Sequence, residues 1–185
     1  TVTQRVGGEC SVPILSIMQQ GAFKLRDASY NGAYLGMCGN DDRCSGSDFG
    51  VLGFSTDATN VRGQWVMEDS GAGWFKLKDE THGAYMGMCG SETGCTGSSN
   101  GVYGYKSDPT GVRGRWIMED AGAGWFKLRD ASHSSAYLGM CGSNHGGDNS
   151  DYGLYGYRSD PTGLRGRWTA EAFSTAELQP SPPPS

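Results

Sequence analysis

Three kinds of residue in this sequence could do chemistry: the histidines, the acidic loop residues and the cysteines. The histidines His82, His133 and His145 lie in no motif of the G-x-S-x-G, H-E-x-x-H or Cys-His type. Acidic residues such as Asp41 and Asp42 carry the oxygen ligands that calcium prefers, but a solvated acidic loop explains them without a metal. The sequence therefore predicts no enzyme, no metal site and no cofactor.

An internal repeat contains most of these residues. Its first half reads FKLRDASYNGAYLGMCG, WFKLKDETHGAYMGMCG and WFKLRDASHSSAYLGMCG in the three copies. A variable loop follows, then GVLGF, GVYGY or GLYGY, then a segment that ends in R-G-Q-W or R-G-R-W. Tyr34, Tyr85 and Tyr137 mark a period of 51 to 52 residues. The predicted boundaries are an N-terminal arm at 1–20, repeats at 21–72, 73–123 and 124–172, and a Pro- and Ser-rich tail at 173–185.

Each repeat contains four short strand patterns. Phe75, Leu77 and Asp79 alternate with lysines, which is the period of a half-buried strand, and three further apolar runs follow. Asp-Pro-Thr-Gly and Gly-Ala-Gly segments separate the runs with turn-forming residues. Four strands in each of three repeats predict an all-β chain of twelve strands. This pattern resembles the β-trefoil family, in which six strands form a barrel, six form capping hairpins, and pseudo-threefold symmetry relates the repeats.

The repeated apolar residues are the candidate core. In the first copy they are Phe23, Leu25, Tyr34, Trp65 and Met67, and we expect their counterparts to pack in the same way. His82 and His133 occupy one turn of two copies, where the first copy has Tyr30, and a solvated turn is the expectation for them. In the arm, residues 12–15 predict an extra strand or a packed segment.

Six cysteines in a small glycine-rich chain are typical of an oxidising compartment, so we expect a secreted protein. Two repeats contain a C-x5-C pair, and the third contains one cysteine. The simplest pairing is Cys38–Cys44, Cys89–Cys95 and Cys10–Cys141. A zinc site with four thiolates is the alternative, but C-x5-C is not the usual C-x2-C knuckle.

Polar residues that a core does not need also recur. An aspartate follows the third strand of each repeat and precedes an arginine by five residues. Carboxylates that accept sugar hydroxyls, backbone donors from a glycine turn and an aromatic face are what a saccharide site requires. An ion pair that shapes the loop is the alternative, and both stay open. The residues are Asp57, Asp108 and Asp160 with Arg62, Arg113 and Arg165, and a second recurring set is Asp27, Asp79 and Asp130.

The R-G-Q-W and R-G-R-W segments resemble the Q-x-W strand of ricin-B-type lectins. The F-K-L-R-D-A-S start, the Met-Cys-Gly turn and the aspartate after the third strand are similar to the galactose-binding trefoil lectins of mussels. The resemblance implies a multivalent lectin with up to three equivalent sites for galactose or related glycans. The ligand-binding residues that it implies are Gly39, Gly90 and Gly142 with Asp57, Asp108 and Asp160.

Composition narrows the classes of partner. A net charge of −5 lacks the basic character of a general nucleic-acid binder, and no apolar run reaches the roughly 18 residues of a membrane helix. We therefore expect glycans or glycoproteins as partners, no nucleic acid and no membrane span, with a homo-oligomer left open. A secreted structural or adhesive matrix protein and a trefoil-type protease inhibitor are the alternative functions.

Overall fold

The computed structural model describes residues 3–6, 10–30, 32–38, 48–55, 63–90, 98, 100–107, 114–131, 136–143, 152–159 and 166–173. Two short strands precede the repeats, β1 (Thr3–Val6) and β2 (Cys10–Pro13), and they pair antiparallel. The helix α1 (Ile14–Gln19) follows directly.

Twelve strands of the described part form the main sheet. Their number and the all-β class agree with the prediction from the repeats. The strands, in chain order, are β3 (Phe23–Asp27), β4 (Tyr34–Cys38), β5 (Phe49–Phe54), β6 (Trp65–Asp69), β7 (Phe75–Asp79), β8 (Tyr85–Cys89), β9 (Asn100–Tyr105), β10 (Trp116–Gly122), β11 (Trp125–Asp130), β12 (Tyr137–Ser143), β13 (Tyr152–Tyr157) and β14 (Trp168–Ala172).

Half of these strands pair side by side in a closed ring, in the order β3, β6, β7, β10, β11, β14 and back to β3. The remaining strands form the hairpins β4–β5, β8–β9 and β12–β13. The second strands of these hairpins also pair with one another, as β5–β9, β9–β13 and β13–β5. The ring leaves no open strand edge, and the whole arrangement is β-trefoil-like.

The period-two pattern of the first strand in a repeat explains how it sits in the ring. In β7, the side chains of Phe75, Leu77 and Asp79 are buried, whereas Lys76 and Lys78 are partly exposed. Successive side chains of a strand point to opposite faces, so one face of β7 fills the barrel and the other face carries charge. The alternation therefore places the cations on the outer wall.

Three tryptophans form the centre of the core. Trp65, Trp116 and Trp168 begin the last strand of each repeat, and none has solvent-exposed surface. Each indole Nε1 donates to a carbonyl oxygen of the second strand, at 3.0–3.1 Å from Leu35, Met86 and Leu138 respectively. A buried indole N–H without a partner would be costly, so this bond anchors each ring as well as filling volume. The predicted core role of the tryptophans is confirmed.

One predicted core residue lies elsewhere. Tyr34 and its counterparts Tyr85 and Tyr137 are only half-buried, and each hydroxyl donates to a glutamate on the outer wall. The prediction was wrong because a tyrosine combines an apolar ring with a polar tip, and strand parity sends this ring outward. The core proper is continued by neighbours such as Leu35 and Met37.

The N-terminal arm packs against the repeats. The helix α1 lies against β6 and β14, and it buries Ile14, Ile17 and Met18 in the main core. Leu15 faces solvent and is 41% exposed. A packed segment was expected here, but the sequence did not predict that β2 would end at Pro13 and a helix begin at Ile14.

Candidate functional site

Two of the six predicted ligand residues lie in the described part of the chain. Gly90 and Gly142 are exposed and have left-handed backbones, with φ of 53° and 38°. The other four predicted ligand residues and the three recurring arginines lie outside the described residues: Gly39, Asp57, Asp108, Asp160, Arg62, Arg113 and Arg165. Their roles, as ligands or as loop ion pairs, stay predictions.

Gly142 lies where the third repeat meets the first. Its backbone N–H donates to the hydroxyl oxygen of Tyr30 at 3.1 Å. The Tyr30 ring also lies against the ring of Tyr152, with centroids 4.8 Å apart and planes at 40°. We call this group of three residues the Tyr30 crevice.

A related contact joins the first and second repeats. The ring of His82 lies 4.8 Å from the ring of Phe49, at 48°, and the Lys106 Nζ lies 5.3 Å from the Phe49 centroid. Asp48 ties the two repeats together, because its N–H donates to the Gly104 carbonyl and its Oδ2 accepts from the Lys106 N–H at 2.6 Å. We call Asp48, Phe49, His82 and Lys106 the His82 crevice.

The corresponding contact between the second and third repeats has different chemistry. Asn100 begins β9, as Phe49 begins β5 and Tyr152 begins β13. The Asn100 Nδ2 donates to the Gly90 carbonyl oxygen at 2.6 Å. The turn residue that would face it, His133, lies outside the described residues. We call Gly90 and Asn100 the Asn100 crevice.

At each crevice, a glycine backbone packs closely against a methionine side chain of the neighbouring repeat. A Cβ placed on Gly104 would lie 2.6 Å from the Met37 Sδ and 3.0 Å from the Phe49 Cβ. Gly53 and Gly156 have equally short distances to Met140 and Met88. A side chain would therefore push the hairpins apart. The second glycine of the G-x-x-G segments is what allows each crevice to form.

The His82 ring is held by a buried carboxylate. Asp79 Oδ2 lies 2.7 Å from the His82 backbone nitrogen and 2.6 Å from its Nδ1. Burial raises the pKa of Asp79 above its ordinary value of 3.8, and the hydrogen bonds from His82 oppose that rise. The side chain of His82 is only 25% exposed. Its imidazole lies between the Asp79 carboxylate and the Phe49 ring of the preceding repeat. The expectation of a solvated turn residue was therefore wrong.

The second recurring set of aspartates has a structural role. Asp27, Asp79 and Asp130 end the first strand of each repeat with no exposed surface, so a bound sugar cannot reach them. In the first repeat, Asp27 Oδ1 accepts hydrogen bonds from Ser29 and from the Tyr30 N–H. These carboxylates cap the turns that carry Tyr30 and His82, and thereby position the crevice rings.

The outer barrel wall carries three polar clusters, each between two adjacent repeats, that the sequence analysis did not identify. A tyrosine hydroxyl donates to one glutamate oxygen at 2.9–3.2 Å, and an arginine or lysine pairs with the other oxygen at 2.5–3.7 Å. The signal was present as a repeated K-x-[RK] segment and a repeated glutamate three residues after the tryptophan that begins the last strand. These wall clusters are Arg26, Tyr34 and Glu171; Glu68, Lys78 and Tyr85; and Glu119, Arg129 and Tyr137.

The described residues test the predicted disulfide framework only in part. Cys89 and Cys141 are disulfide-bonded. Cys38 lies buried at the end of β4, where Gly50 is its cross-strand neighbour. Because Cys44 and Cys95 lie outside the described residues, the pairs Cys38–Cys44, Cys89–Cys95 and Cys10–Cys141 stay predictions.

Two further features concern metals and membranes. Among the residues that the structure describes, no three His, Cys, Asp or Glu side chains gather closely enough to hold a metal ion. No helix of the described ranges has the length and apolar character needed to cross a bilayer.

Similarity to solved structures is confined to the fold. The designed threefold-symmetric protein ThreeFoil is 24% identical over 83% of this chain and 100% of its own, with a TM-score of 0.61. A ricin B-like lectin from Macrolepiota procera, in complex with lactose, is 16% identical over 83% of this chain and 96% of its own, with a TM-score of 0.56. The exo-β-1,3-galactanase 1,3Gal43A from Clostridium thermocellum is 17% identical over 84% of this chain but 31% of its own, with a TM-score of 0.63.

The sequence matches no protein-family model and no curated protein. At these levels of identity, the solved structures establish a β-trefoil-like fold and leave function to the site itself. The match covers less than a third of the galactanase. The activity of that enzyme is therefore not assigned to this chain.

Proposed function

We propose that this protein is a multivalent lectin whose saccharide sites are the crevices between adjacent repeats. The observation that carries the proposal is the Tyr30 crevice, where two tyrosine rings lie beside the exposed backbone of Gly142. Gly142 is also a position where the resemblance to trefoil lectins implies a ligand contact. The fold shared with a lactose-bound lectin supports the same class.

The chemistry of the crevice suits a sugar. Sugar rings present C–H groups on one face and hydroxyls at the edge, so they combine apolar contact with an aromatic ring and a few hydrogen bonds. The Tyr30 and Tyr152 rings are only half-buried, and each carries a hydroxyl. Galactose and its β-linked disaccharides are the first class to test.

Repetition of the crevice compensates for weak individual sites. Binding at a shallow site costs conformational entropy for each side chain that becomes ordered. It gains only a few hydrogen bonds, each of which replaces a bond to water. Three crevices on one chain allow a branched or clustered glycan to bind at several points, which raises the apparent affinity without new contacts. We expect the pseudo-threefold symmetry of the repeats to space the crevices around one axis.

The test is a titration of the protein with lactose, in which calorimetry measures the binding and NMR of the backbone amides locates it. We expect amide shifts at Tyr30, Gly142 and Tyr152, and loss of that site in Tyr152→Ala, which removes one of its two aromatic rings. The control is Tyr85→Phe, which alters the barrel wall and should bind as the wild type does. Absence of binding across a broad panel of glycans would overturn the proposal.

The aspartates outside the described residues need their own variant. If Asp57, Asp108 and Asp160 contact sugar, the triple change to Ala should remove binding and leave the fold intact. If they pair with the loop arginines, the same variant should bind as before and lose about 0–1 kcal/mol of stability for each exposed pair.

A secreted location and three disulfides belong to the same proposal. Support comes from the even number of cysteines and from the bonded state of Cys89 and Cys141. We propose the pairs Cys38–Cys44, Cys89–Cys95 and Cys10–Cys141. Alkylation before reduction, followed by peptide mapping, should recover these three linkages and no alkylated cysteine, and any other linkage would contradict the pairing.

A further inference from the structure

The crevices hold different charges at equivalent positions. Phe49 is opposite Gly104 in the β5–β9 pair, and Tyr152 is opposite Gly53 in the β13–β5 pair. Lys106 lies two residues after Gly104, at the His82 crevice, and Ser55 lies two residues after Gly53, at the Tyr30 crevice. Both side chains are exposed. The turn residues differ in the same way, because a histidine in one crevice replaces a tyrosine in the other.

We propose that the His82 crevice binds a saccharide with an anionic substituent, a carboxylate or a sulfate, whereas the Tyr30 crevice binds a neutral sugar. This inference rests on the proposed lectin function and gives its sites two specificities in place of one.

Lys106 supplies the first cationic group. Its ammonium lies over the Phe49 ring, and no carboxylate in the described part of the chain forms an ion pair with it. A cation held over an aromatic face stays close to the crevice, so less side-chain entropy is lost when a ligand binds. An anionic group can therefore form a charge-assisted hydrogen bond with it.

His82 supplies the second polar group. Because its Nδ1 is engaged by Asp79, the other ring nitrogen, Nε2, is the atom left for a ligand. This ring nitrogen can form a hydrogen bond with a hydroxyl of the sugar that carries the anionic substituent.

Charged groups of both signs surround the crevice. Those on the segments packed around His82 are Asp79 and Glu80 on its own turn, Asp48 before β5 and Lys106 after β9. Asp79 is completely buried, and one carboxylate oxygen of Asp48 is bonded to the Lys106 backbone. Glu80 is exposed and directly follows the buried Asp79. The Lys106 ammonium lies over the Phe49 ring and is the group placed to meet an anionic substituent there.

The experiment compares methyl β-galactoside, galactose 6-sulfate and galacturonic acid as ligands of the full chain by NMR titration. For the wild type, we expect shifts at His82 and Lys106 with both acidic sugars, which should bind about tenfold tighter there than the neutral sugar. The neutral sugar should shift Tyr30 and Gly142.

Two matched variants exchange the crevice residues. Lys106→Ser introduces the residue of the Tyr30 crevice and should abolish the acidic preference, while Ser55→Lys should create one beside Tyr152. His82→Tyr should retain the acidic preference, because the Lys106 ammonium over the Phe49 ring is unchanged. Both exchanged lysine positions are exposed, so these changes leave the core intact.

Inorganic sulfate serves as the probe for the anion alone. If all sugars bind equally well and Lys106→Ser changes nothing, the inference is overturned while the lectin function stands. If no sugar binds to either crevice, the lectin function fails and this inference fails with it. If sulfate alone shifts His82 and Lys106 as strongly as galactose 6-sulfate does, the site recognises free anions, and the saccharide part of the inference is overturned.

Discussion

The barrel wall and the inter-repeat crevices differ in how uniform their side chains are. On the wall, all three clusters have a tyrosine hydroxyl bonded to a glutamate that also contacts a cation. In the crevices, equivalent positions hold two tyrosines in one case, a phenylalanine and a histidine in another, and an asparagine in the third.

The contrast separates groups that stabilise the fold from groups that are available to a ligand. Each wall glutamate already uses both oxygens within the protein, so a ligand would have to displace existing bonds. The crevice residues instead differ although the strands that begin with Phe49, Asn100 and Tyr152 pair in equivalent registers, and binding residues commonly vary on a rigid scaffold. Variants of the wall and core should therefore change stability alone, and variants of the crevice should change binding.

The largest loss of stability should come from Trp116→Ala. The variant removes a fully buried indole together with its bond to the Met86 carbonyl, and large-to-small changes of this kind cost about 3–5 kcal/mol. Urea unfolding measures the loss. Trp74→Ala is the control, because Trp74 is partly exposed and its removal should lower the free energy of unfolding much less. Equal losses in the two variants would contradict the assigned core.

Gly104→Ala should produce the next largest effect. The added Cβ would lie too close to Met37 and Phe49, and Met37 is fully buried with little room to move, so we expect a loss of about 1–3 kcal/mol. The variant should also weaken sugar binding in the His82 crevice, since the clash is at its base.

The double variant of Gly104→Ala with Met37→Ala checks this cause. Removing the methionine side chain relieves the contact, so the combined loss of stability should be smaller than the sum of the two single losses. Additive losses would show that the close approach does not limit this position.

A smaller effect should appear in the pH dependence of stability. Because burial raises the pKa of Asp79 in the folded state, the native protein binds this proton more tightly than the unfolded chain does. The contribution of Asp79 to stability should therefore increase as the pH falls through its folded pKa toward 3.8, and decrease as the pH rises.

Asp79→Asn should remove that slope and retain an oxygen that accepts from the His82 N–H. Urea unfolding over a series of pH values measures it, and the exposed Asp69→Asn serves as the control. Parallel curves for Asp79→Asn and the wild type would contradict the role of burial.

The smallest effect should come from the wall. Tyr85→Phe removes the 2.9 Å bond to Glu68, and a partly buried hydrogen bond contributes about 0.5–1.5 kcal/mol. Lactose binding should be unchanged in calorimetry. Loss of binding in this variant would instead place the saccharide site on the wall and reverse the comparison.

The sequence by itself determined the repeat and its strands, because the apolar positions recur with a constant period. Trp65 and its counterparts could be assigned to the core in advance, since a large apolar ring repeated at the start of a strand has few other uses. The turns between the strands could also be predicted, because turn-forming residues act through local backbone conformation.

Tertiary structure decided which residues meet. His82 contacts Phe49, and Tyr30 contacts Gly142, because each turn packs against the preceding repeat and not within its own. Tyr34 meets Glu171 because the last strand, β14, pairs with β3 and closes the barrel there. Periodicity within a copy carries no information on contacts between copies, since these depend on how the ring of strands closes.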